Sequence, residues 1–161
     1  MANSLESQVG QFLHERGLKL VVAESCTGGL LGSRITDVSG SSEYFLGGVV
    51  AYAYEAKVDL LGVSWDTLNT KGAVSRETVL EMARGIRNLM KADIAVSVSG
   101  IAGPGGGTPE KPVGTTWIGL VAEDGEWAKV FQFSGDRERN KISAADAALK
   151  LLLDYLQGNQ V

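Results

Sequence analysis

The chain is poor in the residues that most enzyme chemistries draw on. Its 161 residues include one cysteine, Cys26, and one histidine, His14. A single unpaired cysteine fits a reducing compartment. A metal cluster has almost no ligands to draw on, and a histidine-based triad has a single base available. We therefore expect no metal cluster. No apolar run approaches membrane-spanning length, and the opening Met-Ala-Asn-Ser-Leu-Glu lacks the charged and apolar regions of a signal peptide. Basic charge is in short supply as well. Fifteen Lys and Arg face nineteen Asp and Glu, for a net charge of −4, and no block of five or six basic residues occurs. That balance speaks against a nucleic-acid partner. The expectation is a cytoplasmic protein with neither nucleic-acid nor membrane partners.

What remains is the composition of one soluble domain, residues 1–161, with 44% hydrophobic and 21% charged residues. A chain of this size buries roughly 70% of its unfolded surface, enough for a core without staples. There is no linker, composition break or internal repeat.

Strands alternate with helices along the chain. Leu5, Val9, Phe12 and Leu13 share a helix face that ends at Gly17. Leu20–Ala23 reads as a buried strand and Gly28 to about Thr36 as a helix. A turn cluster at Asp37–Ser42 precedes a strand near Gly48–Ala53 and a short helix over Glu55–Leu61, stopped by Gly62. Ser75 caps a long helix carrying Val79, Met82, Ala83, Ile86, Leu89 and Met90. Ile94–Ser99 is a strand, Thr116–Ala122 and Trp127–Phe133 flank an Asp124-Gly125 hairpin signal, and a final helix runs from about Arg137 to Leu156. This order predicts an α/β domain whose sheet is mixed, mostly parallel with one antiparallel pair, and covered by helices on both faces.

Glycine, at 21 residues, marks where chemistry would occur. Gly28-Gly29, Gly47-Gly48 and the run from Gly100 to Gly114 all fall at strand ends, where open α/β sheets hold ligands. The Gly100–Gly114 loop is too long and too glycine-rich for a plain connector. It matches neither the Walker motif nor the dinucleotide fingerprint. At the first of these ends stands Ala23-Glu-Ser-Cys-Thr-Gly-Gly29. A hydroxyl on a tight strand-to-helix turn is presented outward, with free N–H groups beside it. Without a second histidine, lysine is the base to look for, and Lys57 lies among Tyr52, Tyr54, Ala56, Val58 and Leu60. Desolvation by such neighbours lowers a lysine pKa toward the range a base needs. By periodicity alone, Lys57 is an exposed helix-face lysine and Ser25 a helix-capping serine.

The segments taken together narrow these alternatives. Ala23–Gly29, Gly47-Gly-Val-Val-Ala-Tyr52, Glu55-Ala-Lys57, Gly72-Ala-Val-Ser75, Ser99-Gly-Ile-Ala-Gly-Pro-Gly-Gly106, Lys111-Pro-Val-Gly114 and Ser134-Gly-Asp-Arg137 closely resemble the CinA C-terminal family of nicotinamide-nucleotide amidohydrolases. The resemblance runs in order from about residue 9 to 156. It implies a three-layer α/β/α sandwich that hydrolyses the carboxamide of nicotinamide mononucleotide to nicotinate mononucleotide and ammonia, within pyridine-nucleotide recycling. It further implies a serine–lysine mechanism without metal or cofactor, with Ser25 as nucleophile, Lys57 as general base and Tyr52 as a supporting hydroxyl. The implied substrate site comprises Cys26, Thr27, Gly28 and Gly29, then Ser99, Gly100 and Gly103, with Arg139 or Arg137 as its cation. Arg34, close to the first loop, is a third arginine for that role by position alone. Many relatives carry a molybdopterin-binding-like domain ahead of this one, so a stand-alone form is the expectation here. The expected partner is a small pyridine nucleotide, and the expected assembly a homo-oligomer such as a dimer. Ser99 stands where threonine is frequent, Tyr54 where a small polar residue is usual, and Arg76 where an acid is common; Tyr54 is the departure that bears on pocket shape. Two rivals stay open: an amidase for a different small amide, and a non-catalytic nucleotide-binding or scaffold module.

Overall fold

The computed structural model describes residues 3–161; Met1 and Ala2, which open the stretch read above for a signal peptide, lie outside them. Five strands, β1 (Leu20–Glu24), β2 (Phe45–Val50), β3 (Ile94–Gly100), β4 (Thr115–Ala122) and β5 (Gly125–Gln132), form one sheet in the order β2-β1-β3-β4-β5. β1 pairs in parallel with both β2 and β3, and β4 runs antiparallel to both β3 and β5. Four strands point the same way, so the sheet is mixed and mostly parallel. Two pairings are antiparallel, however, where the sequence led us to expect one. The extra one arises because the connection after β3 contains no helix to carry a crossover. Its ends are instead pinched together by Ile101 N–H to Thr115 O (2.9 Å) and Gly114 N–H to Ile101 O (2.7 Å), and the chain folds back on itself. In the β4–β5 hairpin Ala122 faces Gly125, so the turn is Glu123-Asp124, one residue earlier than expected.

Side-chain alternation along the strands divides the interior in two. Val22, Val96, Val98, Ile118 and Leu120 pack beneath α1 (Leu5–Arg16), α2 (Leu30–Thr36) and α6 (Arg137–Leu156), meeting Leu13, Leu31, Ile35, Leu149 and Leu152. The alternate residues Val21, Ala23, Ala95 and Val121 pack under α3 (Tyr54–Leu61), α4 (Trp65–Lys71) and α5 (Arg76–Met90), against Leu61, Leu68, Met82 and Ile86. This is a three-layer α/β/α sandwich. α4 was not anticipated: its seven residues, Trp-Asp-Thr-Leu-Asn-Thr-Lys, bury only Leu68 and carry no apolar periodicity. It is started instead by the Ser64 hydroxyl, which accepts the Thr67 N–H. Among the described residues no helix is long and apolar enough to cross a membrane.

Candidate active site

Three parallel strands end side by side, and the site is built on their carboxyl ends. The ladder runs one residue past β1: Ser25 N–H donates to Val98 O (3.0 Å), while Ala51 N–H donates to Glu24 O (2.8 Å). Ser25 is thus held by both neighbouring strands. The chain then turns sharply, with Gly28 N–H bonded to Ser25 O and with φ of 60° at Gly28 and 103° at Gly29. Only glycine adopts two such consecutive left-handed positions at low cost.

Glu24 fixes this loop. It is buried, and its carboxylate accepts four hydrogen bonds, from Thr27 Oγ1 (2.6 Å) and from the N–H groups of Gly29, Leu31 and Gly32 (3.2, 2.9 and 3.0 Å). The amides at the start of α2 are therefore consumed by the protein itself. Of the loop N–H groups expected to serve an oxyanion, those of Gly28 and Gly29 are engaged. Those of Cys26 and Thr27 have no backbone acceptor among the described residues.

Lys57 projects from α3 back toward the helix start, the direction helical side chains take. It is 1% exposed. Its Nζ lies 3.0 Å from Ser25 Oγ, 2.9 Å from Ala51 O and 3.0 Å from Tyr52 O. All three neighbours are neutral, and no carboxylate pairs with it among the described residues. Burial accordingly holds the ammonium below its ordinary pKa of 10.5. The exposed helix-face position that periodicity indicated is not what the fold provides. Buried Cys26 is pushed up to about 11 by the same desolvation, which keeps it a thiol. His14 pairs with Glu43 at 2.7 Å on the surface of α1, so Cys26 has no imidazole partner.

A cavity of about 260 Å³ opens in front of Ser25 and Lys57. Its walls include Cys26, Tyr52, Ser99, Gly100, Gly103 and Arg137, so eight of the twelve expected residues converge on it. Thr27, Gly28, Gly29 and Arg139 do not line it. The Thr27 hydroxyl is committed to Glu24, and Arg139 is exposed on α6. Arg137 is the arginine that reaches in. Its guanidinium donates to Gly103 O (2.7 Å) and to Tyr52 Oη (3.0 Å), tying the glycine loop to the far rim. Tyr52 presents its hydroxyl to Arg137 and its carbonyl to Lys57. Arg34 is held by Glu6 and Asp146 on the α1–α6 side. The Tyr54 ring packs on Trp65 at 6.4 Å and lies outside the cavity wall.

Two wall segments were not foreseen as site residues, Ala73-Val74 ahead of α5 and Ile101-Ala102 after β3. No chemical signal marks them, because they contribute shape. Lys141 lies outside that wall, four residues after Arg137 on the same face of α6. No group of three or more His, Cys, Asp or Glu among the described residues could hold a metal ion.

Comparison with known proteins agrees with this architecture. The family model described as CinA C-terminal domain matches residues 2–156. The CinA-like protein of Chlorobaculum tepidum is 55% identical over 159 residues, covering 96% of this chain and 38% of that protein. The CinA-like protein of Thermotoga maritima is 49% identical over 156 residues, 97% of this chain and 38% of its own length. The chain thus spans well under half of these relatives. Among solved structures, the competence damage-inducible protein A of Klebsiella pneumoniae superposes with a TM-score of 0.93 at 38% identity, covering 97% of both chains. The competence/damage inducible protein CihA of Agrobacterium tumefaciens gives 0.89 at 39% identity, with 95% of each chain covered.

Proposed function

The chain belongs to the CinA C-terminal domain family, and on that footing we propose that it is a serine–lysine amidohydrolase acting on the carboxamide of nicotinamide mononucleotide. The observation that carries this reading is the 3.0 Å contact between Lys57 Nζ and Ser25 Oγ inside a buried, carboxylate-free pocket. A neutral lysine amine has two N–H groups and one lone pair. Ala51 O and Tyr52 O take the two N–H groups, which leaves the lone pair for the Ser25 hydroxyl proton.

In the proposed reaction Lys57 takes that proton as Ser25 Oγ attacks the amide carbon. Negative charge develops on the carbonyl oxygen, and the unused N–H groups of Cys26 and Thr27 are the donors for it. The lysine then returns its proton to the departing nitrogen, releasing ammonia and leaving an acyl ester on Ser25. Water, deprotonated by the same amine, hydrolyses the ester and regenerates the serine.

Ammonia release from nicotinamide mononucleotide by the purified protein tests this directly. Turnover that disappears in Ser25→Ala, with the fold retained, is the expected result. Release from other small amides but not from the mononucleotide would favour the rival amidase. Tight nucleotide binding without any hydrolysis would favour a non-catalytic module.

A further inference from the structure

We infer that the first turns of α6 carry an anion subsite in which Lys141, assisted by Arg137, receives the phosphate of a nucleotide substrate above the nucleophile loop. This rests on the nucleotide-amide reading above and assigns its charged end to a residue outside the catalytic cavity.

A groove of about 440 Å³ adjoins that cavity, lined by Leu30, Arg137, Glu138, Lys141 and Ile142. Arg137 lines both spaces, so the two adjoin across its side chain. Arg137 and Lys141 are one helical turn apart and project side by side. Lys141 is half-buried, and its Nζ stands 3.8 Å from where a Cβ on Gly28 would lie. It has no hydrogen-bond or ion-pair partner among the described residues. A half-buried ammonium with no carboxylate on it, beside a roomy groove, is a cation awaiting an anion.

The other means of holding a phosphate nearby is already taken. The amides opening α2 are filled by Glu24, so they have nothing to offer a ligand. Two of the five N–H donors of Arg137 go to Gly103 and Tyr52, and the remaining three have no acceptor among the described residues, which leaves them as auxiliary donors. The distance suits a nucleotide. The hydrogen bond from Gly28 N–H to Ser25 O closes a turn that keeps their Cα atoms within about 7 Å, so a ribose-sized spacer bridges from the nucleophile to Lys141. Glu138 is the one carboxylate in the groove. It opposes a bare anion and accepts hydrogen bonds from sugar hydroxyls, which selects a phosphate that arrives on a sugar.

Calorimetric titration on the Ser25→Ala protein, which removes turnover, tests the subsite with nicotinamide mononucleotide and nicotinamide riboside. The mononucleotide should bind at least about tenfold more tightly than the riboside. Lys141→Ala should erase most of that gap by weakening the mononucleotide roughly ten- to hundredfold while leaving the riboside little changed. Lys141→Arg should retain the preference. A gap that survives Lys141→Ala, or one removed by Arg139→Ala instead, overturns the inference. Should neither nicotinamide ligand bind, the amidase reading fails, and ribose 5-phosphate followed by phosphorus NMR decides the subsite alone. Binding that is lost in Lys141→Ala upholds it; binding that is absent, or indifferent to that change, overturns it.

Discussion

Replacing Gly85 by alanine sets two effects against each other. Gly85 lies inside α5, where an unobstructed alanine is favoured over glycine by roughly 1 kcal/mol. This position is obstructed. A Cβ there would lie 2.6 Å from the Leu61 carbonyl carbon and 2.9 Å from its Cα, and nearer still to the carbonyl oxygen. Real Cβ atoms essentially never approach below 3.0 Å, and the atoms met are the backbone of the last turn of α3. No rotamer change relieves that contact, so α3 and α5 must separate by something approaching 1 Å. Overpacking costs about 1–3 kcal/mol, and the upper end applies where backbone is struck. After the helix-propensity gain, a net loss of about 2 kcal/mol remains, or roughly 4–8 °C in Tm for a domain of this size. The second consequence is chemical. α3 carries Lys57 one turn before Leu61, so its displacement draws Nζ away from Ser25 Oγ. A 1 Å misplacement is worth on the order of 100-fold in rate. Thermal melting by circular dichroism, together with ammonia release from nicotinamide mononucleotide, reads both. An unchanged or raised Tm would refute the clamp between α3 and α5. A lowered Tm with full activity would refute the claim that this clamp seats Lys57.

Three further outcomes follow from buried groups at the same strand ends. Because burial lowers the Lys57 pKa, the unfolded chain holds a proton that the native state lacks between that lowered value and 10.5. Stability should therefore rise with pH across that window, whereas below the lowered value both states are protonated and the cost of the buried charge is fully present. Urea unfolding of wild type and Lys57→Met at neutral and alkaline pH should show this rise only in wild type; equal slopes would mean that Lys57 titrates as an exposed lysine. Cys26, with its pKa pushed up to about 11, should carry thiolate in only about one molecule in a thousand at pH 8. Iodoacetamide should then label it slowly in the native protein and quickly in urea, and rapid native labelling would contradict the burial argument. Glu24→Gln replaces an acceptor oxygen by an amide N–H facing backbone donors, so it should cost about 1–3 kcal/mol in denaturant titrations. A neutral outcome would show that the loop is held by its glycines alone.

Helix limits were legible where the local signals agreed. α6 begins at Arg137 and ends at Leu156 as its pattern indicates, with the Asp136 carboxylate accepting the Arg139 N–H at the start. The second antiparallel pairing was not legible, because it depends on a loop returning rather than crossing. Lys57 illustrates the same limit within the site. α3 has eight residues and a weak apolar face, so its periodicity points Lys57 outward. The environment that buries it is supplied by Ser25 and by Ala51 just past β2, 32 and six residues away in sequence. Only the resemblance across many segments paired Lys57 with Ser25. The divergence of Arg137 from Arg139, in contrast, was readable from helix geometry. Residues two apart on a helix do not share a face, so Arg137 and Arg139 diverge, whereas residue 141 falls beside residue 137.

Glu24 and Lys57 show why the site reads as chemistry rather than scaffolding. Both are ionisable and both are almost fully buried, Glu24 as the last residue of β1 and Lys57 on α3, which follows the neighbouring strand β2. The fold treats them in opposite ways. Four donors converge on the Glu24 carboxylate, which is how a structural charge is kept in an interior. Lys57 meets only neutral oxygens. A lysine kept for stability would have been given a carboxylate, since an unpaired buried ammonium opposes folding. Leaving it unpaired makes sense if the neutral amine is the useful form. Glu24 lies on the α2 face of the sheet, as Val22 does, and holds the nucleophile loop there. On the α3 face Lys57 reaches Ser25 with no counter-ion of its own, so the loop is fixed by one buried charge and served by a base that burial keeps neutral.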